Sequence, residues 1–377
     1  MNHLFRSACA VVFVAGLMMA QTDNTRQSTT LFSATPLMDL GTGAYKGFQG
    51  GLFASGLQTV PSADATAGSR FANEIQPLDP SGLPSASGKI VFVSVGMSNA
   101  MEEFQTFIQA AHASTQVNHS TLAIVNGAQS SMTACYWTVA FGTPPCPHAT
   151  VNQFDRVLNT VLTPAGLTEH QVQVVWIKEA NPDPAITGCG ADQFQPCEPL
   201  CNPHTTGCVN TPEAMEALRY EQQLGEILRA AKIRWPNLKL AFLASRIYAG
   251  YATVAENPEP YAYEYGFSVK WLIQAQINQM QTTTVDSVAG DLDYNSGTAP
   301  WVTWGPYLWA NGPVPRSDGL AWCNGQTTAP CKGEMDFQSD GTHPNDDGAG
   351  KVSNLLMNFF LRSAFASKWF PASAGEQ

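Results

Sequence analysis

Three residues of the sequence carry the side chains that serine-based acyl transfer requires, namely Ser98, Asp340 and His343. A serine hydroxyl attacks a carbonyl carbon when a histidine accepts its proton and a carboxylate orients the histidine ring. Asp340 and His343 lie three positions apart, with Gly341 between them, and in a turn this spacing lets the carboxylate reach the imidazole. We therefore predict that Ser98 attacks, that His343 transfers the proton and that Asp340 holds the ring.

Ser98 follows an apolar, β-branched run at 90–95 that ends in Gly96, and an amphipathic helix follows it. The serine is thus expected at the carboxyl end of a strand, where α/β sheets bind ligands, and at a helix N-terminus, which favours negative charge. Asn99 can cap this helix, because Glu102 three residues later completes a capping-box pattern. Serine is itself a favoured capping residue, so Ser98 taken alone also has a purely structural interpretation.

Further strand ends are expected at the same edge of the sheet, and they carry Asn126-Gly127, Asn181 and Arg246. The backbone N–H groups of Ser98 and Gly127, with the side-chain amide of Asn181, are predicted to hold an oxyanion. Arg246 either binds a carboxylate or another polar group of a substrate, or pairs with an acidic residue of the chain.

Five apolar runs of strand length alternate with helical patterns along the chain, and they lie at 90–95, 122–125, 172–177, 240–244 and 301–304. Helices are predicted near 151–162, from Thr211-Pro212-Glu213 onward, over 261–279 and at the end of the chain. This alternation indicates βαβ units, a parallel sheet with helices on both faces, and one domain with long insertions. The Gly- and Pro-rich stretch at 36–88 is interpreted as ordered loop that wraps over the sheet.

The composition indicates an exported globular protein. The chain has 377 residues with 44% hydrophobic and only 13% charged, and its net charge is −11. No run of Lys and Arg is present, which excludes a nucleic-acid partner. Residues 1–20 are interpreted as a signal peptide, 21–88 as an N-terminal extension and 89–377 as the catalytic domain. After cleavage no membrane contact is expected, and the predicted location is secreted or periplasmic.

Cysteine usage agrees with an oxidising compartment. Eight cysteines follow the predicted signal peptide: Cys135, Cys146, Cys189, Cys197, Cys201, Cys208, Cys323 and Cys331. Proximity predicts disulfides between Cys135 and Cys146 and between Cys323 and Cys331, while the four cysteines between them allow three pairings. A zinc site built from Cys201, His204, Cys208 and one more cysteine is the alternative.

The sequence resembles the SGNH (GDSL-type) hydrolases at four short blocks. These are Gly96-Met97-Ser98-Asn99, Asn126-Gly127, Asn181 and Asp340-Gly341-Thr342-His343, and they match in order and in strand context over roughly residues 89–360. The resemblance implies an α/β, flavodoxin-like three-layer αβα sandwich with a parallel five-stranded sheet, ester hydrolysis, and neither metal nor cofactor. The chain departs from the family at Met97, where an Asp is usual, at Asn99, where an apolar residue is usual, and in the block around Asn181.

We therefore expect a secreted ester hydrolase that removes small acyl groups, acetyl above all, from a carbohydrate through an acyl-enzyme on Ser98. Two alternatives stay open. One is a non-catalytic carbohydrate-binding or surface protein on the same fold, which Met97 and Asn99 favour. The other is a lipase-like or thioesterase activity. The aromatic residues Trp301, Trp304, Tyr307 and Trp309 can either stack on sugar rings or pack inside the protein.

Overall fold

A computed structural model describes residues 31–144, 146, 149–184 and 197–372. Its centre is a five-stranded sheet in which every neighbouring pair is parallel. The strands are β3 (Ile90–Gly96), β4 (Leu122–Val125), β5 (Val172–Lys178), β6 (Leu240–Leu243) and β7 (Trp301–Trp304), after a small hairpin of β1 (Ala44–Tyr45) and β2 (Phe48–Gln49). The order in the sheet is β4-β3-β5-β6-β7, so the strand order reverses beside β3. The carboxyl ends of β3 and β5 therefore flank the crevice in which doubly wound sheets bind ligands.

Helices cover both faces of this sheet and make a three-layer α/β sandwich. They are α1 (Leu37–Leu40), α2 (Ser62–Asn73), α3 (Ser98–Ala113), α4 (Gln153–Val157), α5 (Glu216–Arg234), α6 (Tyr261–Thr282) and α7 (Asp346–Arg362). Helix α3 packs against α7, and α5 packs against α6. A π-helical turn, Leu158–Leu162, continues α4. The predicted α/β fold class is confirmed.

The strands form where the sequence is apolar and β-branched, because both faces of the sheet are covered. All residues of β3, β5, β6 and β7 are buried, whereas edge strand β4 alternates between buried and partly buried positions. Continuous burial of this kind is typical of parallel sheets between two helical layers. The aromatic ring of Phe92 on β3 meets Phe104 of α3 and Phe360 of α7, which joins one helical layer to the sheet.

All five predicted strands are present, but the helix predicted from Thr211 begins later. The backbone N–H groups of Ala214 and Met215 both donate to the carbonyl of Thr211, which closes one isolated turn. Met215 is then extended (φ −119°, ψ 124°) and bridges to Glu198, so that α5 starts only at Glu216. The Thr-Pro-Glu pattern therefore marks a turn, because a bridge to a distant segment interrupts the helix.

The predicted loop at 36–88 contains the short helix α1, the β1–β2 hairpin and the longer helix α2, none of which was predicted. Helix α2 buries Asp64, Gly68, Phe71 and Ala72, of which only two are apolar side chains, and this explains the weak periodicity. Asp64 accepts a hydrogen bond from the indole N–H of Trp301 at 2.9 Å. The segment thus contacts the edge strand β7. The predicted signal peptide, residues 1–20, lies outside the described residues.

Disulfides close three of the long loops. The bonds are Cys135–Cys146, Cys201–Cys208 and Cys323–Cys331, so both pairings predicted from proximity are present. Cys197 is also disulfide-bonded, and Cys189 lies outside the described residues. The bond between Cys201 and Cys208 removes two of the three thiolates that the zinc alternative needs. Among the described residues, no helix combines the length and hydrophobicity that crossing a membrane requires.

Candidate active site

The structure brings Ser98, His343 and Asp340 into one hydrogen-bonded chain. Ser98 is the first residue of α3, directly beyond the carboxyl end of β3, and its Oγ lies 2.7 Å from Nε2 of His343. The other ring nitrogen, Nδ1, lies 2.6 Å from Oδ2 of Asp340. The imidazole and the carboxylate are partly accessible, with 18% and 28% of their side-chain surfaces exposed. In this arrangement the imidazole can take the proton of Ser98 while the carboxylate balances the charge that forms.

A tight turn makes the contact between Asp340 and His343 possible. Oδ1 of Asp340 accepts hydrogen bonds from the backbone N–H groups of Thr342 (2.9 Å) and His343 (3.0 Å). Gly341 has φ +67°, and a Cβ there would lie 2.0 Å from the carbonyl oxygen of Tyr251. Only glycine fits this position without strain. Partial burial alone would raise the pKa of Asp340, but these backbone donors and the imidazole lower it below its usual value.

Contacts from distant segments hold this turn in place, and two of them involve residues that were not singled out from the sequence. The backbone N–H of Thr253 donates to the carbonyl of Asp340 at 2.8 Å. The side-chain amide of Gln338 donates to Glu102 of α3 at 3.2 Å. Both partners lie far from the Asp-x-x-His block in the sequence, so no local pattern could have revealed them.

Asn99 does not cap α3 as predicted. The cap position is Met97, which makes no side-chain capping bond, and Asn99 lies inside the helix with 2% of its surface exposed. Its Nδ2 donates to the carbonyl oxygen of Thr342 at 2.9 Å. Thr342 precedes His343, so this hydrogen bond ties the helix that carries the serine to the turn that carries the imidazole. The capping prediction was wrong because the helix begins at Ser98, one residue before Asn99, which places Asn99 inside its first turn.

The backbone of Gly127 does not point its N–H at Ser98. It donates instead to Oγ of Ser94, which also accepts from Ala128 and donates to Asn126. A Cβ at Gly127 would lie 2.3 Å from the carbonyl oxygen of Ser94, so the glycine serves the close approach of this turn to β3. This N–H is therefore already used, which corrects the oxyanion role predicted for Gly127.

Asn181 lies in the wall of the pocket beside Ser98, but its amide hydrogens are engaged elsewhere. Nδ2 donates to Glu216 Oε1 at 2.8 Å and to Gln223 Oε1 at 2.6 Å. Its backbone N–H donates to the hydroxyl of Tyr265 at 3.0 Å. An amide nitrogen has two hydrogens, so in this geometry the side chain has none left for an oxyanion. Asn181 instead fixes the end of β5 to α5 and α6.

The remaining anion-stabilising groups lie at the N-terminus of α3. The first N–H groups of a helix have no intrahelical acceptor, and the helix dipole favours negative charge there. Ser98, Asn99 and Ala100 provide these groups, since the first backbone bond of the helix runs from the N–H of Met101 to the carbonyl of Met97. Of the three predicted donors, the backbone N–H of Ser98 is the one that the geometry leaves available.

A cavity of about 340 Å³ opens beside Ser98. Its polar lining residues include Ser98, Asn99, Ser130, Ser131, Thr133, Asn181, Asp183, Arg246, Glu256, Asn257, Thr342 and His343. Three of these residues are 2% exposed and have side-chain atoms without a hydrogen-bond partner among the described residues, namely both amide atoms of Asn257, the hydroxyl of Thr342 and Nε of Arg246. Most of the lining residues are thus polar or charged, and Met97, Ala180 and Pro182 add apolar surface.

Arg246 lies in the pocket wall, at the end of β6, as predicted. The residue is 2% exposed, and its Nη1 lies 3.9 Å from Sδ of Met97. One further carboxylate, which the sequence analysis did not single out, stands near the reacting groups. Oε2 of Glu256 is 4.0 Å from Nε2 of His343, and its side chain is 58% exposed.

The aromatic residues considered for sugar stacking are buried packing residues. Trp301, Trp304, Tyr307 and Trp309 are each at most 4% exposed, and none lines the pocket beside Ser98. Within the described ranges, no group of three or more His, Cys, Asp or Glu side chains is arranged to hold a metal ion.

Comparisons with known proteins add no assignment to this geometry. No family model matches the sequence, and no curated protein shows significant similarity to it.

Proposed function

We propose that this protein is a serine ester hydrolase that acts through an acyl-enzyme on Ser98. The observation that carries the proposal is the chain from Ser98 Oγ to His343 Nε2 (2.7 Å) and from His343 Nδ1 to Asp340 (2.6 Å). These distances are within the range for proton transfer between a nucleophile and its base. Most residues that line the adjacent pocket are polar or charged, which supports a polar substrate such as an acylated carbohydrate.

The proposed reaction has two acyl transfers. The oxygen of Ser98 attacks the ester carbonyl carbon while its proton moves to Nε2 of His343, and the carbonyl oxygen becomes an oxyanion. The backbone N–H of Ser98 and the first turn of α3 stabilise this charge. The intermediate collapses to the acyl-enzyme as the alcohol leaves with the proton from Nε2. Water then attacks the acyl carbon by the same route, which releases the carboxylic acid and restores Ser98.

Asp340 keeps the imidazole in the required tautomer. Its carboxylate accepts the hydrogen on Nδ1, which leaves Nε2 free to accept the proton of Ser98. The lowered pKa of Asp340 keeps this carboxylate ionised whenever the imidazole has to carry positive charge.

The four sequence blocks and the parallel α/β sheet support placing the chain among the SGNH (GDSL-type) hydrolases, and we propose this membership together with the reaction. The predicted leader at residues 1–20 and the three disulfides support a secreted or periplasmic location. The acyl group that is transferred to Ser98 and then released as the acid is proposed to be small, acetyl above all.

Covalent labelling tests the nucleophile. A fluorophosphonate probe should label the wild-type protein, and Ser98→Ala and His343→Ala should both abolish labelling and lower 4-nitrophenyl acetate hydrolysis by roughly 10⁴-fold or more. Ser353→Ala and His112→Ala are matched controls outside the pocket and should retain both activities. Full activity in the Ser98→Ala protein would exclude the mechanism. A screen of acetylated glycans for released acetate then separates an enzyme from a protein that only binds carbohydrate.

A further inference from the structure

The guanidinium group of Arg246 is buried in the pocket wall. No carboxylate of the described residues lies within ion-pair distance of it. Its Nε has no acceptor among those residues, and Nη1 contacts only the sulfur of Met97, a weak acceptor. Arginine stays protonated under all ordinary conditions, so the positive charge remains in place.

The acidic residues around Arg246 do not neutralise it. Glu103 is also buried, but both of its carboxylate oxygens contact Nζ of Lys178. Burial raises the pKa of Glu179 well above its usual value, so this side chain is neutral near pH 7. Glu259 accepts hydrogen bonds from Trp309, Ala249 and Tyr263, and burial raises its pKa to about 7. None of these three carboxylates forms an ion pair with Arg246.

Two carboxylates of the pocket lie nearer to solvent than Arg246. Glu256 is exposed and Asp183 is partly exposed, whereas Arg246 is 2% exposed. Solvent and salt screen interactions of exposed charges strongly, but they screen buried charges much less. The buried guanidinium is therefore screened less from an anion inside the pocket than the carboxylates at the rim are.

We propose that Arg246 makes this site selective for esters that also carry a carboxylate, which the guanidinium binds inside the pocket. A guanidinium pairs with a carboxylate through two parallel N–H···O bonds, and Arg246 has the unpartnered Nε for such a pair. The carboxylate can belong to the alcohol part, as in an acylated uronic acid, or to the acyl part, as in a hemisuccinate. This inference rests on the proposed function in that Ser98 hydrolyses the bound ester.

Two pairs of esters test the inference and show whether the bound carboxylate belongs to the alcohol part or to the acyl part. The first pair is acetylated methyl glucuronoside and acetylated methyl glucoside, which differ in the alcohol part. The second pair is 4-nitrophenyl hemisuccinate and 4-nitrophenyl butyrate, which differ in the acyl part. In one of the pairs the wild-type protein should prefer the anionic member by roughly tenfold or more in kcat/KM, as expected for a hydrogen bond between charged groups. A ratio of one or less in both pairs would overturn the inference.

Variants of Arg246 test whether this residue causes the preference for the anionic ester. Arg246→Met should bring the ratio of kcat/KM between the anionic and the neutral ester close to one. Arg246→Lys should give an intermediate ratio, because lysine keeps the positive charge but cannot form two parallel hydrogen bonds to a carboxylate. Arg316→Met is the matched control, since Arg316 is also buried but pairs with Asp318, and the ratio should be unchanged. The inference would be contradicted if Arg246→Met left the ratio unchanged, which includes the case in which kcat/KM falls equally for both members of a pair.

Binding to the Ser98→Ala protein separates this inference from the reaction itself. Calorimetry should show that the anionic member of the preferred pair binds more tightly than the neutral one, and that Arg246→Met in the Ser98→Ala background removes the difference. If no ester is hydrolysed but this difference is present, the proposed reaction fails and the anion site stands. If esters are hydrolysed and the difference is absent, the reaction stands and the anion site fails. Should Arg246→Met not fold, the preference of the Ser98→Ala protein decides alone.

Discussion

Asn99→Ala tests whether one buried side chain positions the two halves of the proposed active site. Nδ2 of Asn99, next to Ser98, donates to the carbonyl of Thr342, next to His343. The two residues are separated by 243 positions, so the bond joins α3 to the turn between β7 and α7. Alanine removes the donor and keeps the helix, because alanine has the highest helix propensity. The variant therefore isolates the tie between the two segments.

The expected effect has a stability part and a catalytic part. The carbonyl of Thr342 is left without this donor in a residue that is 2% exposed, and an unsatisfied buried group costs about 1–3 kcal/mol. The turn that carries His343 then relaxes away from Ser98, and a displacement of about 1 Å between reacting groups costs roughly a hundredfold in rate. We expect Tm to fall by a few degrees and kcat to fall roughly tenfold to a hundredfold, with a smaller change in KM.

Steady-state kinetics on 4-nitrophenyl acetate, fluorophosphonate labelling rates and thermal unfolding measure these effects. Asn152→Ala is the matched control. Asn152 is 3% exposed, caps α4 through Phe154 and Asp155, and donates to Val139 at 2.9 Å, but it does not line the pocket. It should lose comparable stability, about 1–2 kcal/mol for a lost cap, and keep its kcat. If Asn99→Ala unfolds earlier yet keeps a wild-type kcat, the tie stabilises the fold without positioning His343.

Three further variants test other parts of the structure. Asp340→Asn should keep the turn but lower kcat roughly 10³- to 10⁴-fold, because a neutral amide cannot balance the imidazolium; a loss below tenfold in steady-state assays would contradict its role. Gly341→Ala should lower the free energy of unfolding by about 1–3 kcal/mol and slow fluorophosphonate labelling, since its Cβ meets the carbonyl of Tyr251 at 2.0 Å; a wild-type Tm would argue against this contact. Burial raises the pKa of Glu221 to about 9, so the folded form keeps a proton that the unfolded chain releases above its own pKa near 4.5. The free energy of unfolding of the wild-type protein should therefore fall between pH 5 and pH 9, by up to about 1.4 kcal/mol per pH unit from this group. In denaturant titrations Glu221→Gln should remove this slope, whereas the exposed control Glu213→Gln should keep it. Identical slopes in both variants would refute the assignment.

The sheet could be predicted because the residues of each strand alone are enough to identify it as a strand. β3 and β5 consist mostly of Val, Ile and aromatic residues, and a parallel sheet between two helical layers buries every position of such a strand. Helix α2 could not be predicted in the same way. Two of its four buried positions are Asp64 and Gly68, and Asp64 is stabilised by Trp301, a residue 237 positions away.

In the candidate site, too, features that depend on neighbouring residues could be predicted, and features that depend on distant residues could not. Asp340 and His343 could be paired from sequence because they are three positions apart and their side chains meet within one turn. The oxyanion donors could not be assigned, because an N–H is available only when nothing else accepts it. Ser94 already accepts from Gly127, and Glu216 already accepts from Asn181, and both acceptors come from elsewhere in the chain.

The two departures from the SGNH pattern beside Ser98 both have contacts that bear on the site. Asn99 holds the turn of His343, and the thioether of Met97 contacts the guanidinium of Arg246. A carboxylate at position 97, where the family that the sequence resembles has its Asp, would lie next to Arg246 and compete with a substrate anion for it. A thioether contacts the guanidinium without neutralising it. Met97 and Asn99 therefore favour a site with altered selectivity over a fold that has lost its catalytic role, because each residue contacts a group that this chemistry needs.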